Sequence, residues 1–379
     1  MTFQYFYGLY LSNNIFYKNF NKFSSHTWEH DIDMGDGLDY AYVWSQGKSL
    51  EEACPEHLSE GFSQISKKIS SFFKSFNAVG LKVSKSNVEH VFPKKVLSTY
   101  LTYLNEISDY VFENYEKPEN YEFMCELHKF CKTIESQPLK VNLKNIPSPP
   151  EKLLRCSKYV KYDPYKCVTG RLTTVPGSFP IHTLKKEYRA VVEPRNDCFL
   201  ELDFNAFEVR VLLSILEMEQ PAVDIHEWNA KNVFKEDLTR EEIKKRTFSW
   251  LYNDFSLDKE LNIVYPKKVA KLKHFNNPFV ETIFNRKIKA KEENALNYII
   301  QSTASDLFLK QVIKIKKLLQ DRASKVSFTI HDSVIIDFSL KDKEMVKEIV
   351  KVFSETQLGK YKVNTSVGKN FGSMKAVTF

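Results

Sequence analysis

A chain of 379 residues, 42% of them hydrophobic and 27% charged, is long enough for two or three domains with sizeable cores. A net charge of +7 suits an anionic partner, of which nucleic acid is the common one. No apolar run reaches the ~18 residues of a membrane span, so a membrane partner is excluded at this level.

The six cysteines form no C-x-x-C pair, which points away from a zinc site or a disulfide framework and toward a reducing compartment. The N-terminus lacks the basic start and apolar run of a signal peptide, so a soluble cytoplasmic protein is expected. Residues 1–50 are rich in aromatics, with short strands expected at Phe6–Leu11 and Asp39–Trp44. Asp31 and Asp33 are a carboxylate pair that reads as an exposed turn. Phe62, Ile65, Ile69, Phe72, Phe73 and Phe76 follow a helical period, and a turn-like stretch to about His90 follows. Two further helical stripes, Leu97–Val111 and Tyr121–Ile134, flank Pro118 and predict an antiparallel helix pair. The proline-rich stretch from Gln137 to Pro150 reads as a linker and a domain boundary.

Beyond it, Gly170 permits a tight turn and Arg171 offers a fork of donors to a groove or phosphate; a solvated turn arginine would look the same. Cys198–Asp203 reads as a strand ending in a carboxylate, followed by a helix to Leu216. That aspartate suits a metal ligand or a plain helix N-cap. Arg240, Lys244, Phe248 and Tyr252 recur every four residues and share one helix face. Two cations followed by two rings match the layout of a nucleoside triphosphate, although an amphipathic helix with a basic wet side fits as well. Residues 264–291 carry eight lysines and arginines, including Lys267, Lys271, Arg286 and Lys287, against the single acid Glu281, and suit a phosphate-facing surface. Asn297 and Gln301 lie one turn apart on a long helix, and His331-Asp332 tips a hairpin that aims Asp332 outward.

Taken in order, these segments resemble the motifs of family A DNA polymerases, the bacterial polymerase I and phage replicase group. Thr169–Thr174 resembles T-G-R-L-S-S, Asp203–Arg210 resembles D-Y-S-Q-I-E-L-R, and Asp224-Ile-His226 resembles D-I-H. The Arg240 stripe is similar to R-x3-K-x3-F-x3-Y-G, Glu281–Lys287 to E-T-x-x-G-R-R, Asn297–Asp306 to N-x-x-I-Q-G-T-A-A-D, and His331–Ser333 to H-D-E. The resemblance covers residues 150–379. It implies an α+β right-hand architecture, with an antiparallel-sheet palm (150–216 and 295–379), helical fingers (217–294) and thumb-like helices (91–149). Residues 1–90 form a region of unassigned fold, too short for the family's proofreading exonuclease.

The resemblance further implies template-directed DNA synthesis from dNTPs on a primer–template, with two Mg²⁺ ions, for which Mn²⁺ can substitute. Asp203 and Asp332, with Phe204 in the metal set, would hold the ions, and Lys244 would join the two aspartates in catalysis. His226, Arg240 and Lys244 would grip the triphosphate. Phe248 would lie against the sugar and base, Tyr252 at the pivot of the fingers helix, and Glu208 in the space of a ribose 2′-hydroxyl. Arg171, Arg286, Lys287, Asn297, Gln301 and His331 would contact DNA. A separate exonuclease or processivity factor is left open as a partner, and a phage-encoded protein would act in the host cytoplasm. Ser333 stands where the pattern has glutamate, Ala206 where it has glutamine, and Ser249, Asn253 and Ser302 where it has glycine. A divergent phage-type enzyme accounts for these departures. A single-subunit RNA polymerase and a catalytically silent DNA-binding factor are the alternatives.

Overall fold

In the computed structural model, residues 9–11, 14–16, 40–80, 92–253 and 256–379 are described. The chain divides into two units, residues 1–129 and 130–379. No helix among the described residues is long and apolar enough to cross a membrane, and all six cysteines are free.

The first unit is built on helices α1 (Glu56–Ala78) and α2 (Lys94–Asn114). Their apolar stripes meet: Phe62 and Ile69 bury against Leu97, Leu101, Leu104 and Ile107, with Phe72, Phe73 and Phe76 around the ring of Phe92. The expected partner of Lys94–Asn114 was the helix after Pro118. That helix forms, as α3 (Tyr121–Glu135), with its apolar stripe buried. The aromatic face of α1 is nevertheless what packs most extensively on α2. A second correction concerns Asp39–Trp44. Tyr40–Trp44 is a helix, and its Trp44 indole donates to the Tyr115 carbonyl at 2.9 Å while Phe112 and Tyr121 pack edge-on to the ring. Tertiary packing of one tryptophan outweighs the local β-propensity of Tyr-Val-Trp. Of the expected strand Phe6–Leu11, Leu9–Leu11 is described and pairs with Asn14–Phe16. Asp31, Asp33 and the turn before His90 lie outside the described residues.

The second unit is organised by a five-stranded antiparallel sheet. Its strands are β1 (Cys198–Phe204), β2 (Lys325–Ile330), β3 (Ser333–Phe338), β4 (Val363–Gly368) and β5 (Lys375–Val377), in the spatial order β2-β3-β1-β4-β5. Alternation sets the two faces. Leu200, Leu202 and Phe204 point to one side, where Phe204 stacks on Phe207 and Phe353 at centroid separations of 4.5 and 4.3 Å. Glu201 and Asp203 point to the other. The helices behind the sheet are α4 (Phe207–Ile215), α7 (Glu292–Leu318) and α8 (Val346–Ser354), with α7 packed against both others. Between them in sequence come α5 (Ile225–Asn232) and α6 (Arg240–Tyr252). The proline-rich stretch 137–150 lies within this unit, where Lys140–Val141 pairs with Val192–Glu193.

One polar contact is buried within this packing. Asp306, fully buried in α7, accepts two bonds from the Arg286 guanidinium, at 3.0 Å from Nε and 2.6 Å from Nη2. Gly170, at φ +77°, lies directly over that guanidinium, and a Cβ there would stand 2.6 Å from Nη2. The pair therefore needs glycine at 170. Removing one partner of a buried pair strands the other charge. Arg286→Ala is expected to lower unfolding free energy by about 3–5 kcal/mol. The double change Arg286→Met, Asp306→Leu is expected to lose much less. Urea denaturation of the three proteins checks this.

Candidate active site

The site begins with strand register. Asp203 faces Ser333 of β3 on one side and Asn364 of β4 on the other. Directly paired residues of antiparallel strands project to the same face. Asp332 immediately precedes Ser333 at the tip of the two-residue β2–β3 turn, whose first residue, His331, sits at φ +53°. The turn thus delivers Asp332 beside Asp203. Asn364 Nδ2 donates to Asp203 Oδ2 at 3.4 Å.

Neither carboxylate forms an ion pair among the described residues. Burial, then the charge of Asp332, pushes the Asp203 carboxyl up to about 7. Burial also raises Asp332, against the positive charges of Arg171 and Lys244. Two adjoining half-buried carboxylates strained in this way call for a cation between them. The donor set is all oxygen. Phe204, its ring enclosed by Phe207, Phe353 and Tyr361, can add only its backbone carbonyl. No group of three or more His, Cys, Asp or Glu side chains suited to an ion is present among the described residues. Mg²⁺ fits such a sparse set, because it keeps several waters and takes one or two carboxylates plus substrate oxygens.

Glu208 stands in the first turn of α4, past Ala206 in the left-handed region at φ +46°. Its buried carboxylate accepts from the Arg171 guanidinium and from the Tyr252 hydroxyl of α6. Residues from three expected elements are thereby tied together. Burial raises the Glu208 carboxyl, with the Tyr252 hydroxyl and Arg171 acting against it. Along α6, Phe248 stacks on Tyr252 with centroids 6.0 Å apart, and the His226 ring approaches Phe248 at 6.0 Å. His226 is buried, its Nδ1 has no hydrogen-bond partner, and burial lowers its pKa. Lys244 is exposed on the same stripe.

Arg240 is not free. It donates to Asp224 Oδ2 at 2.8 Å. Asp224 also caps α5 through the backbone N–H groups of His226 and Glu227 and accepts from Asn205 at 2.7 Å. Burial opposes ionisation of Asp224, but Arg240, Asn205 and the two N–H groups outweigh it and bring its pKa down to about 2. Beneath this network lies Arg210, fully buried, which donates to the carbonyls of Asn205, Pro221 and Val223. Sequence reasoning gave Asn205 and Arg210 no role. An arginine within Phe-Glu-Val-Arg-Val-Leu-Leu was the available signal, since a cation on so apolar a helix must be paired inside.

The remaining expected residues divide. Asn297 and Gln301 are half-buried on α7, and the Asn297 Oδ1 has no hydrogen-bond partner. His331 is exposed and stacks on His182 at 5.9 Å, which in turn packs on Tyr162 at 5.5 Å. A cavity of about 230 Å³ is lined by Arg171, His182, Phe207, Glu208, His331 and Asp332 among others, and so opens beside Asp332. Lys287 is exposed, 5.0 Å from the Phe279 ring centroid. Arg286 departs from the expected DNA contact: its guanidinium is spent on Asp306 and supports the Gly170 turn that presents Arg171. Lys267 departs from the expected phosphate-facing surface. It is buried, and its ammonium donates to the carbonyls of Trp250 and Asn253 at 2.7 and 2.6 Å.

Comparison with known proteins gives a consistent result. Residues 276–373 match the profile of DNA polymerase family A. DNA polymerase I of Borreliella burgdorferi is 26% identical over 265 residues, covering 55% of this chain and 29% of that protein. DNA polymerase I of Caldicellulosiruptor bescii is 28% identical over 200 residues, covering 40% and 24%. The chain thus spans less than a third of the length of these relatives. Among solved structures, the POL domain of Pol1 from M. smegmatis, in complex with DNA primer-template and dNTP, superposes with a TM-score of 0.50 over 84% of this chain and 66% of that one. At 12% identity this speaks for the fold alone. The profile and the polymerase I relatives together make this chain similar to the DNA polymerases of family A.

Proposed function

We propose that this chain carries out template-directed DNA synthesis, adding dNTPs to a primer 3′-hydroxyl with two Mg²⁺ ions. The observation that carries this is the half-buried Asp203–Asp332 pair, which forms no ion pair among the described residues and feels the charge of Lys244 from the Arg240–Tyr252 stripe. When bound, the ions would lower the pKa of the 3′-hydroxyl and neutralise charge on the leaving pyrophosphate. The solved POL domain with primer-template and dNTP supports the same partners here.

The chain's own residues would do the rest. Asp203, Asp332 and the Phe204 carbonyl would hold the ions, and Lys244, whose charge already acts on both aspartates, would hold phosphate oxygens beside them. Arg240 would exchange Asp224 for the triphosphate, a swap of one charge-assisted acceptor for another. His226 would add a ring nitrogen, and Phe248 and Tyr252 would pack on sugar and base. Arg171, Asn297, Gln301, Lys287 and His331 would line the primer–template. The sheet with residues 150–216 and 295–379 corresponds to a palm, 217–294 to fingers and 91–149 to a thumb. This reading assigns the chain synthesis alone. A deoxyribose substrate is favoured over a ribose one by Glu208, a carboxylate held rigid at the sugar position.

Asp203→Asn or Asp332→Asn is expected to slow primer extension by about three orders of magnitude or more, since several kcal/mol of charge stabilisation is lost. DNA affinity should stay near wild type. A pH dependence accompanies this. The Asp203 carboxyl ordinarily titrates near 3.8 and does so at about 7 in the fold. Its contribution to the stability of metal-free protein is therefore complete below 3.8 and lost as pH rises through about 7. Metal-free Asp203→Asn should exceed wild type in stability at pH 8 and lose that advantage by pH 4, as thermal unfolding would record.

Sugar selection gives a further test. Glu208→Ala should relax discrimination against ribonucleotides, because selectivity here comes from clash and unmet hydrogen bonds. Phe248→Tyr should raise dideoxynucleotide use, since the added hydroxyl replaces the bond a 3′-hydroxyl offers. Competitive incorporation measures both ratios. Wild-type values for both, in variants that still extend primers, would displace these residues from the sugar site.

A further inference from the structure

We propose that Glu201 is a positioning residue of the Asp203–Asp332 site, supplying from β1 the acidic group that Ser333 does not provide from the β2–β3 turn. The proposal rests on the two-ion reading above and adds a residue to it.

The geometry comes from the sheet. Glu201 lies two residues before Asp203 on β1, so both project from the same face, roughly 7 Å apart along the strand. Asp203 is opposite Ser333, and Glu201 is opposite Ile335 and Ser366. The Glu201 side chain does not run straight across to these neighbours. The Ser333 hydroxyl lies 3.2 Å from Glu201 Oε1 and shares its proton between that oxygen and the Ile330 carbonyl, also at 3.2 Å, so the carboxylate leans diagonally toward the row that holds Asp203. It is close enough for its charge to act on Asp203.

The chemistry makes a purely structural role costly. Glu201 forms no ion pair among the described residues, and its hydrogen bond there comes from one hydroxyl. A half-buried carboxylate so thinly compensated works against folding, whereas Gln would keep the bond to Ser333 without the charge. The nearest cation acting on it, Arg189, lies over the Phe371 ring at 4.7 Å, and its Nε has no hydrogen-bond partner. A bound cation is what would balance the extra negative charge. Because no three-residue ion cluster is present among the described residues, Glu201 acts from outside the direct ligands. It adds negative charge and an acceptor for the hydration of an ion held by Asp203 and Asp332. Groups in that position orient the ligands and strengthen binding.

The test uses Mn²⁺ and the full chain without DNA, read by the electron paramagnetic resonance signal of the free ion. Glu201→Gln should weaken Mn²⁺ binding by about tenfold, the low end of what losing such an outer partner costs. The Mn²⁺ concentration for half-maximal primer extension should rise by a similar factor, with DNA affinity unchanged. Adding Ser333→Glu to Glu201→Gln should restore most of the Mn²⁺ affinity, which a merely structural bond between the two residues would not do. Glu201→Asp, which keeps the charge, should bind better than Glu201→Gln and carries the comparison if the latter does not fold. Wild-type Mn²⁺ affinity in Glu201→Gln, or no recovery in the double variant, overturns the proposal. Asp203→Asn in the same assay separates the two readings. If it too binds Mn²⁺ normally, the two-ion reading fails; if it alone loses binding, only the Glu201 assignment does.

Discussion

Everything in the second unit turns on holding two half-buried carboxylates, Asp203 and Asp332, side by side. Like charges so placed repel, and burial raises the cost of ionising either. A flexible loop would relieve this by moving apart. The sheet prevents it: β1 is hydrogen-bonded on both edges, to β3 and β4, and the β2–β3 turn is only two residues long. On the reverse face the fully buried Leu202 and the stacked rings of Phe204, Phe207 and Phe353 anchor the same strand in the core. The unfavourable charge is thus sustained by apolar packing directly behind it. Strain of this sort persists where the surrounding structure over-determines the position.

A second set of contacts ties this fixed pair to α6. Arg210 fastens the Asn205 backbone to the 221–223 carbonyls, Asn205 holds Asp224, and Asp224 holds Arg240. The turn after Asp203 and the start of α6 are therefore linked by four side chains. On the other side, Glu208 joins Arg171 to Tyr252 near the end of α6. The helix is thus gripped near both ends by carboxylates, those of Asp224 and Glu208. In the two-ion reading, the Arg240 grip is the one a triphosphate would loosen, since Asp224 and a phosphate compete for the same guanidinium.

Much of this was legible in the sequence, and the reason is periodicity. The alternating Cys198–Phe204, the two halves of the hairpin around His331-Asp332 and the four-residue stripe of α6 each declare a face, and faces fix which side chains meet. What the sequence did not disclose were pairings between distant charges. Arg286 looks like any basic residue in a basic stretch until Asp306, twenty positions on, is seen to face it. Lys267 looks like a surface lysine for the same reason. Helix pairing in the first unit was hidden too, because the stripes of α1, α2 and α3 are similar and none declares its partner. Glu201 was legible as a residue but not as a neighbour of Ser333, since that contact depends on a register diagonal.

The end of α6 shows how a departure from the family pattern can be absorbed. Where the pattern has glycine after the tyrosine, this chain has Asn253, extended at φ −105°, ψ 102°. A helix end leaves its last carbonyls without intrahelical partners. Here the buried ammonium of Lys267 takes those of Trp250 and Asn253 and lies 4.7 Å from the Trp250 ring centroid. A cation is favourable at a helix C-terminus, and burial makes its hydrogen bonds obligatory. The Trp250 indole also donates to Asn262 at 2.8 Å, and Arg246 on the same helix pairs with Asp258 and Glu260. The end of α6 is thereby fastened to the segment 258–267. A glycine there would let the end unwind, whereas these contacts make the stripe and that segment one body. Movement of Phe248 and Tyr252 toward the carboxylates would then be a rotation of the assembly. The bonds to break lie at Arg240–Asp224 and Tyr252–Glu208, and both involve residues assigned to the nucleotide.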